Sequence, residues 1–163
     1  MIRLATTADA AAIATIYNHY VSSSTITFEE QVVGSDEMAQ RIASVGAQLP
    51  WYVFERDGGI LGYAYATPWR ARSAYRFSVE STVYLAHECV GQGIGRQLYS
   101  ALIEDLRRRQ LQVVIGGIAQ PNDASVALHE RLGFEKAAMF KRVGRKFDRW
   151  IDVGYWELQL QEE

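Results

Sequence analysis

Two spacings of apolar residues alternate along this chain, and each spacing predicts a different element. Short runs rich in β-branched and aromatic residues, bounded by polar or glycine-rich stretches, are typical of strands. They occur at residues 2–5, 51–55, 60–66, 77–85, 113–118, 134–143 and 153–160. Between them, apolar residues three or four positions apart predict helices. These helices begin after Asp9, after Ser35, after Gly95, and at Asn122 or Asp123.

The ends of two predicted helices carry specific signals. Asp9 is a residue type that caps helix N-termini with its side chain, and Asn122 or Asp123 can do the same for the last helix. Gly133 directly follows Leu132, the last residue of that helical pattern, and is predicted to take the left-handed C′ position. The boundaries of the last helix are therefore marked on both sides.

The order of these elements predicts one folding unit. Residues 57–59, Asp-Gly-Gly, lie between two strand-like runs and give a strong β-hairpin signal. Strand and helix patterns alternate without a linker, a repeat or a low-complexity tract. We therefore expect an α/β fold, in which helices cover the faces of a mixed sheet, in a single domain that spans residues 1–163.

The segment of residues 83–98 contains the most informative motif. An apolar strand runs into glycines at positions 91, 93 and 95, and an amphipathic helix follows at once. A helix N-terminus exposes unpaired N–H groups and a partial positive charge, and glycines let a phosphate approach these groups closely. The segment therefore predicts a binding site for the phosphates of a cofactor.

Spacing decides between the known types of phosphate site. A dinucleotide fingerprint that starts at Gly91 needs glycine or alanine at the position where the chain has Arg96. A P-loop needs Gly-Lys-Ser or Gly-Lys-Thr, and the sequence contains neither. A flexible turn before a surface helix is the alternative without a ligand, because short motifs often match by chance.

Composition narrows the kind of partner. The 163 residues are 48% hydrophobic, which is enough for a complete core, and the formal net charge of -2 provides no basic field. We therefore expect a small-molecule substrate and no nucleic-acid partner. The sequence shows no membrane-spanning run and no signal-peptide pattern, so we expect no membrane association. The single cysteine, Cys89, favours a reducing, cytoplasmic location.

The glycine segment resembles the acyl-CoA loop of the GNAT N-acetyltransferases, in which Gln or Arg stands three positions before Gly-x-Gly or Gly-x-Ala. Gly93 and Gly95 match that pattern, and Val90 takes the place of Gln or Arg. Residues 17–20, 24–28, 68–75, 80–84, 121–134 and 149–156 resemble the phosphinothricin and methionine sulfoximine N-acetyltransferases within that family. This resemblance implies the GNAT fold with a mostly antiparallel central sheet, acetyl-CoA as the acetyl donor, and a homodimer.

The resemblance also implies which residues bind acetyl-CoA. Backbone groups of Val83 and Leu85 are expected to pair with the pantetheine arm as an added strand, and the side chains of Asn122 and Ser125 can hydrogen-bond its amides. For Asn122, helix capping is an alternative role. The guanidinium of Arg96 suits a phosphate. The full expected set is Val83, Tyr84, Leu85, Val90, Gly91, Gln92, Gly93, Ile94, Gly95, Arg96, Asn122 and Ser125.

Acetyl transfer to an ammonium group needs a base, because only the free amine has a lone pair for attack. The resemblance places the general base of the family at Glu80, and an exposed carboxylate in a surface ion pair is the alternative. His129 is the candidate acid for the departing thiolate, against a structural role or a tyrosine such as Tyr84 in its place. Direct attack on the thioester needs no metal ion.

Arg70, Arg72 and Tyr75 form a local anion site in a chain of net negative charge, which suits the carboxylate or phosphinate of an amino-acid analogue. The resemblance implies substrate contacts by these residues and by Phe28 as an apolar wall, although basic loops are usually only solvated. The predicted function is acetylation of the α-amine of a substrate of the phosphinothricin or methionine sulfoximine type. The alternatives are another amine, such as a polyamine or a peptide N-terminus, and an acyl-CoA-binding domain without catalysis.

Overall fold

Strands and helices alternate along the chain of the computed structural model, which describes residues 1–162. The strands are β1 (Ile2–Leu4), β2 (Trp51–Arg56), β3 (Gly59–Pro68), β4 (Ser78–Leu85), β5 (Val113–Ala119), β6 (Glu135–Lys146) and β7 (Arg149–Gln159). The helices are α1 (Ala10–Ser23), α2 (Ser35–Gly46), α3 (Ile94–Arg108) and α4 (Asp123–Arg131). No helix in residues 1–162 is both long enough and apolar enough to cross a membrane. Each element that the hydrophobic pattern predicts is present, so the predicted α/β class is confirmed.

The strands form a single sheet in the order β1-β2-β3-β4-β5-β7-β6. Every neighbouring pair is antiparallel except β4 and β5, which are parallel, so the predicted mixed and mostly antiparallel sheet is confirmed. The parallel pairing joins only residues 78–80 to residues 113–115. Beyond Glu80 the two strands separate, and the backbone of residues 81–85 that faces β5 has no strand partner there.

Different helices cover the two faces of the sheet, as two neighbouring residues of β4 show. The ring of Tyr84 packs edge-on against Tyr17 of α1, with the ring centroids 5.4 Å apart. The next side chain, Leu85, points to the other face, where its Cδ1 lies 3.5 Å from the position of a β-carbon on Gly95 in α3. Burial of each leucine in the predicted stripe of α3 contributes about 1.5–3 kcal/mol. That stripe is Leu98, Leu102 and Leu106, all fully buried.

The last two strands are longer than the hydrophobic pattern predicts. β6 continues to Lys146 and β7 begins at Arg149, whereas the pattern ends the first at residue 143 and starts the second at residue 153. The two residues between them, Phe147 and Asp148, have positive φ angles of 51° and 57°. A two-residue type I′ turn requires this backbone conformation and usually carries glycine. Neither residue is glycine, so the sequence did not mark the hairpin.

Asp9 occupies the N-cap position of α1, but its side chain makes no capping hydrogen bond to that helix. The carboxylate instead accepts hydrogen bonds from the Thr6 N–H at 2.8 Å and from the Arg3 guanidinium at 2.9 Å. The prediction that Asp9 caps the helix with its side chain is therefore wrong, because a preceding turn and a cation take the same oxygens. The predicted start of the third helix after Gly95 is also late, since α3 begins at Ile94.

Candidate active site

A cleft opens where β4 and β5 separate, and Glu80 lies at its closed end because it is the last β4 residue paired with β5. Side chains from β4, β5 and α4 form the walls, together with one residue of the loop between α1 and α2. The lining residues are Ile26, Glu80, Ser81, Thr82, Val83, Tyr84, Gly117, Ile118, Ala119, Asn122, Ser125 and His129. The cleft therefore brings together the predicted base, the predicted acid and four of the expected cofactor contacts.

The Glu80 carboxyl group is half-buried and has no ion-pair partner within hydrogen-bonding distance among the residues that the structure describes. Burial raises the pKa of this carboxyl, and the positive charge of Arg70 partly opposes the shift. A raised pKa makes a carboxylate a stronger base at neutral pH. The geometry thus disfavours the alternative of an exposed glutamate in a surface ion pair.

Tyr84 lies on the same face of β4 as Glu80 and has a ring packed among other aromatic residues. Its ring centroid is 5.4 Å from that of Tyr17, 5.2 Å from that of Tyr20 and 5.7 Å from that of Tyr63. Burial raises the pKa of the Tyr84 phenol well above its usual value of 10.0, so the hydroxyl is protonated at neutral pH. The phenol can therefore donate a hydrogen bond in the cleft, while its raised pKa makes it a weaker acid than an exposed tyrosine.

The glycine loop has the backbone geometry that a phosphate site needs. Gly91 and Gly93 have positive φ angles of 84° and 78°, which L side chains rarely adopt. A β-carbon on Gly93 would have nothing within 4 Å, so backbone conformation and not packing requires glycine there. Gly93 is the N-cap of α3, and the first hydrogen bond inside the helix is the one from the Gln97 N–H to its carbonyl.

Consequently the N–H groups of residues 94–96 find no backbone acceptor among the described residues. They point out of a helix N-terminus that carries a partial positive charge. Arg96 is exposed beside them, whereas the side chain of Ile94 is fully buried and can offer a ligand only its N–H. The exposed Val90 adds no polar group, and Gln92 uses its amide to bond the Glu88 carbonyl at 3.2 Å. The donors that this loop offers to a phosphate are therefore its backbone N–H groups and Arg96.

His129 is buried, and both of its ring nitrogens have protein partners. Nδ1 lies 2.7 Å from the Ser125 carbonyl, so it carries the proton and donates to that oxygen. Nε2 lies 2.9 Å from the Tyr99 hydroxyl, which in turn is hydrogen-bonded to the Ser81 hydroxyl. Burial lowers the pKa of His129, which keeps the imidazole neutral. A neutral histidine with both nitrogens engaged is better suited to holding α4 and β4 in place than to donating a proton.

Tyr99 is a member of this network that the sequence did not reveal. Its ring is fully buried on α3, and burial raises the pKa of its phenol. Gly116 on β5 leaves the space that the His129 ring fills, since a β-carbon there would lie 2.8 Å from the imidazole Cδ2. A tyrosine inside an apolar helical stripe reads as core packing, so only the three-dimensional contact identifies its polar role.

Asn122 caps α4 with its side chain, which accepts a hydrogen bond from the Ser125 N–H at 3.2 Å. The capping alternative for Asn122 is thus present in the structure, and the predicted C′ residue Gly133 has a positive φ of 93°. At the end of β4, the Leu85 carbonyl accepts a hydrogen bond from the Tyr20 hydroxyl at 2.5 Å. Val83 has no such side-chain partner, which leaves its backbone the freer of the two for an added strand.

The predicted anion site lies outside the cleft lining, between β3 and β4. The Arg70 guanidinium stacks on the Trp69 ring at 4.5 Å, and Trp69 packs edge-on against Tyr155 with centroids 5.7 Å apart. Tyr155 in turn lies 3.1 Å from the position of a β-carbon on Gly117, across from Glu80. This aromatic bridge places Arg70 where its charge affects the Glu80 carboxyl.

The other three predicted substrate residues are less closely tied to Glu80. Arg72 and Tyr75 are exposed in the same segment, where the Tyr75 N–H donates to the Arg72 carbonyl at 2.9 Å. Phe28 is exposed at 42% and lies against Gly144 of β6. None of the four predicted substrate residues lines the cleft itself. The anion site is therefore adjacent to Glu80 but does not form part of the cleft lining.

The cleft contains no cysteine, and Cys89 is buried beside the glycine loop with a free thiol. Within residues 1–162, no three His, Cys, Asp or Glu side chains lie close enough together to hold a metal ion. Ser81, the cleft serine next to Glu80, is hydrogen-bonded to Tyr99 and not to a base. The titratable group best placed for chemistry in this cleft is therefore the Glu80 carboxylate.

Comparison with known proteins gives a consistent result. The family model described as "Acetyltransferase (GNAT) domain" matches residues 2–154. Over 160 residues the chain is 40% identical to the phosphinothricin N-acetyltransferase of Streptomyces viridochromogenes, covering 98% of this chain and 87% of that protein. It is also 39% identical over 165 residues to the L-methionine sulfoximine/L-methionine sulfone acetyltransferase of Salmonella typhimurium, covering 99% and 95%.

A solved structure shares the fold at a similar identity. The GNAT superfamily phosphinothricin acetyltransferase of Sinorhizobium meliloti, in complex with acetyl-CoA, superposes with a TM-score of 0.93 at 36% identity. The match covers 98% of this chain and 87% of that one. The order of strands and the opening between β4 and β5 therefore belong to a known architecture.

Proposed function

Because the chain belongs to the GNAT acetyltransferase family, we propose that it transfers the acetyl group of acetyl-CoA to the α-amine of a small amino-acid-like substrate. We propose the phosphinothricin or methionine sulfoximine type, since two relatives carry those substrates in their names. The observation that carries the proposal is the half-buried Glu80 carboxylate, with its raised pKa, on the strand that leads to the glycine loop.

The cofactor is acetyl-CoA, which supplies an acetyl thioester when it is bound. The residues present fit such a group. The N–H groups of residues 94–96 and the Arg96 guanidinium suit its phosphates. The unpaired edge of β4 at Val83 offers backbone groups to the amides of its arm, and Ser125 adds a hydroxyl to the cleft. These residues would hold and orient the thioester beside Glu80.

Glu80 acts in this proposal as the general base. Its carboxylate takes the proton of the substrate ammonium, directly or through one water, and the free amine then attacks the thioester carbonyl. Burial raises the carboxyl pKa, which brings its basicity closer to that of the proton donor. No cysteine lines the cleft, and the Ser125 hydroxyl lies 3.5 Å from His129 Nδ1, a nitrogen that carries the proton donated to the Ser125 carbonyl and so cannot act as its base. This supports direct attack without an acyl-enzyme.

Two side chains compete for the role of proton donor to the departing thiolate. Tyr84 lines the cleft with a phenol that burial keeps protonated. His129 also lines the cleft, but its nitrogens are engaged by Ser125 and Tyr99. We therefore propose Tyr84 as a hydrogen-bond donor that stabilises the departing thiolate, which takes its proton from solvent, and His129 as a positioning residue, which keeps the helix that carries Ser125 against β4.

The substrate carboxylate or phosphinate is proposed to bind Arg70 and Arg72, with Tyr75 and Phe28 as further contacts. The charge of Arg70 acts on the Glu80 carboxyl, so an anion bound to Arg70 has its amine within reach of the base. A polyamine lacks an anionic group and would meet two arginines, which disfavours that alternative. An acyl-CoA-binding domain without catalysis has no need of a half-buried carboxylate at this position.

We also propose a homodimer and a one-domain enzyme in the cytoplasm. Four apolar side chains project from the hairpin of β6 and β7 with more than half of their surface exposed: Phe140, Val143, Phe147 and Trp150. Such a cluster is typical of a surface that is covered in an assembly. The buried, free thiol of Cys89 agrees with a reducing compartment.

The deciding experiment is the release of free thiol from acetyl-CoA across a panel of amines. The panel contains phosphinothricin, L-methionine sulfoximine, L-methionine sulfone, the common amino acids, spermidine and a short peptide. We expect turnover with the first three compounds and none with spermidine. Turnover restricted to spermidine or to the peptide would overturn the substrate class, and tight acetyl-CoA binding without turnover on any amine would overturn the enzymatic proposal.

A further inference from the structure

Lys146 is a fully buried lysine that neither the sequence motifs nor the proposed mechanism explains. It is the last residue of β6 and is only 1% exposed. Its Nζ donates a hydrogen bond of 2.9 Å to the carbonyl of Thr27, which is 119 residues away in the sequence. Burial lowers the pKa of the amine, and the carboxylates of Glu29 and Glu30 oppose that shift. An ammonium group buried at such cost is expected to hold something in place.

Gly144 contacts Phe28, the residue that follows Thr27 in the same loop. It lies two positions before Lys146, so both residues face the same side of β6. The ring of Phe28 occupies the space that a side chain on Gly144 would need, since a methyl group would overlap two of its ring carbons and crowd a third. The backbone of Gly144 is not in the left-handed region, so contact with Phe28 is the reason that glycine suits this position, and a larger residue would displace the ring.

Thr27 is held from its other side as well. Its Oγ1 is 2.8 Å from the hydroxyl of Tyr17 on α1, and the residue is buried. Tyr17 packs against Tyr84, a residue of the cleft. The loop between α1 and α2 is therefore pinned between α1 and the end of β6, and its residue Ile26 forms part of the cleft wall.

We propose that Lys146 and Gly144 are positioning residues that set which substrate side chains fit the amine site. We call them the loop clamp. By fixing Thr27 and Phe28, the loop clamp sets where residues 26–28 stand as the apolar wall beside the cleft. The inference rests on the proposed function, under which Phe28 contacts the amine substrate. It assigns a specificity role to the residues next to the tip of the last hairpin, which carries no residue of the reaction itself.

The kinetic test uses Lys146→Met, which keeps the length of the side chain and removes its charge and donors. The control is Lys141→Met on the same strand, where the lysine is exposed and forms a surface ion pair with Asp152. We expect KM for L-methionine sulfoximine to rise about tenfold in Lys146→Met, because the released loop no longer holds Phe28 in place against the substrate. KM for acetyl-CoA stays within about twofold, and Lys141→Met is unchanged in both. Equal rises of the two KM values would overturn the proposal.

The second test is a double-mutant cycle between Gly144→Ala and Phe28→Ala. The added methyl group displaces the Phe28 ring, so Gly144→Ala alone changes the ratio of kcat/KM values for phosphinothricin and L-methionine sulfoximine. In the Phe28→Ala background the methyl group meets no ring, and we expect Gly144→Ala to have no further effect. Gly46→Ala is the control, because a β-carbon there has nothing within 4 Å. Additive effects of the two substitutions would contradict the clamp.

Hydrogen exchange tests the clamp without any substrate. In Lys146→Met, amides of residues 24–33 should exchange at least about tenfold faster than in the unaltered protein, because local opening becomes easier. Amides in α3 should keep their rates. If no amine is acetylated, the proposed function fails while this measurement still judges the clamp. An unchanged exchange rate in residues 24–33 would overturn the clamp even in an active enzyme.

Discussion

The Oε1 atom of Glu80 lies 3.4 Å from the position that a β-carbon on Gly117 would occupy. Glu80 and Gly117 belong to the two strands that separate, and the missing side chain leaves only a narrow space beside the carboxylate. Tyr155 closes that space on the opposite side, 3.1 Å from the same position. A side chain at Gly117 would therefore crowd the Tyr155 ring and the base together, so glycine at this position keeps the carboxylate in place.

Glu80→Gln keeps the size and the hydrogen-bonding reach of the side chain but removes its basicity. We expect kcat to fall by roughly 10²–10⁴-fold while acetyl-CoA still binds, because general base catalysis contributes about that much. Raising the pH should recover part of the loss, since more substrate then arrives as the free amine. Steady-state rates between pH 6 and pH 10 provide the measurement. A variant with nearly unaltered turnover at neutral pH would remove Glu80 from the base role.

Arg70→Gln is expected to move the acid limb of the pH–rate profile to higher pH. The positive charge of Arg70 lowers the pKa of the Glu80 carboxyl, which burial raises. Without that charge the pKa rises further, so the base is protonated over a wider range and activity at low pH is lost first. The profile of kcat/KM against pH is the measurement. Arg72→Gln serves as the control: it should weaken substrate binding without moving the limb, and an equal displacement in both variants would count against a direct effect of Arg70 on Glu80.

Gly93→Glu should abolish acetyl-CoA binding, because a negatively charged side chain would enter the space in front of the helix N-terminus. The matched control is Gly58→Glu in the turn between β2 and β3. Gly58 and Gly93 have positive φ angles of 77° and 78°, and a β-carbon at either position has nothing within 4 Å. The backbone strain is therefore comparable. Calorimetric titration should show binding in the Gly58 variant only, and equal binding in both would make the glycine loop a turn without a ligand.

His129→Asn should remove a pH dependence of stability. The pKa of His129 is lowered from 6.5 in the folded protein, so below that pH the unfolded chain binds a proton that the folded protein does not. The unaltered protein should therefore lose stability as the pH falls below 6.5. In His129→Asn this contribution disappears, and loss of the bond to Tyr99 costs about 1–3 kcal/mol.

Urea unfolding at several pH values between 5 and 8 measures both effects. His19→Asn is the control, because it replaces an exposed histidine. The dependence of stability on pH should persist in this variant. If the slope also persists in His129→Asn, another group is responsible for the acid sensitivity. The same variant reports on chemistry: a fall in kcat far beyond the effect of Tyr99→Phe would restore His129 as a proton donor.

Phe147→Asp should convert the proposed dimer into a monomer, because a charge at the tip of the last hairpin would be buried in the interface. Val32→Asp is the control, since Val32 is also an exposed apolar residue and lies in a different part of the chain. Sedimentation equilibrium measures the mass of each variant. A dimer that survives in Phe147→Asp would place the interface elsewhere.

The fold was predictable wherever local pattern and packing agree. The stripe of α3 and the glycine turn before it combine helical spacing with a backbone requirement, and both were identified from the sequence. The hairpin after Lys146 was not predicted, because Phe147 and Asp148 adopt positive φ angles without a glycine to indicate the turn. The prediction that Asp9 caps α1 was wrong, because a residue type that caps helices can also bind a cation, here Arg3. The sequence shows only the residue type and not its partner.

The residues of the candidate site also fall into those that the sequence predicted and those that it did not. Glu80 and Ser125 were found through motifs that are continuous in the sequence, and the cleft brings them together. Tyr99 and Lys146 were not found, since a tyrosine in an apolar stripe and a lysine at a strand end have ordinary local explanations. Their roles depend on partners 30 and 119 positions away, and only the folded chain brings those partners within reach.

The short parallel pairing of β4 and β5 has a mechanical consequence. The sheet consists of two halves, and a seam of three residues on each strand is all that joins them edge to edge. An extended ligand that paired with the free edge of β4 would lengthen that seam, and its departure would break only its own hydrogen bonds to the strand. Because Glu80 is the last β4 residue paired with β5, its position relative to the other half of the sheet would vary least while a ligand fills the gap. We therefore expect ordered binding, in which the amine is acetylated only after acetyl-CoA occupies the gap between β4 and β5.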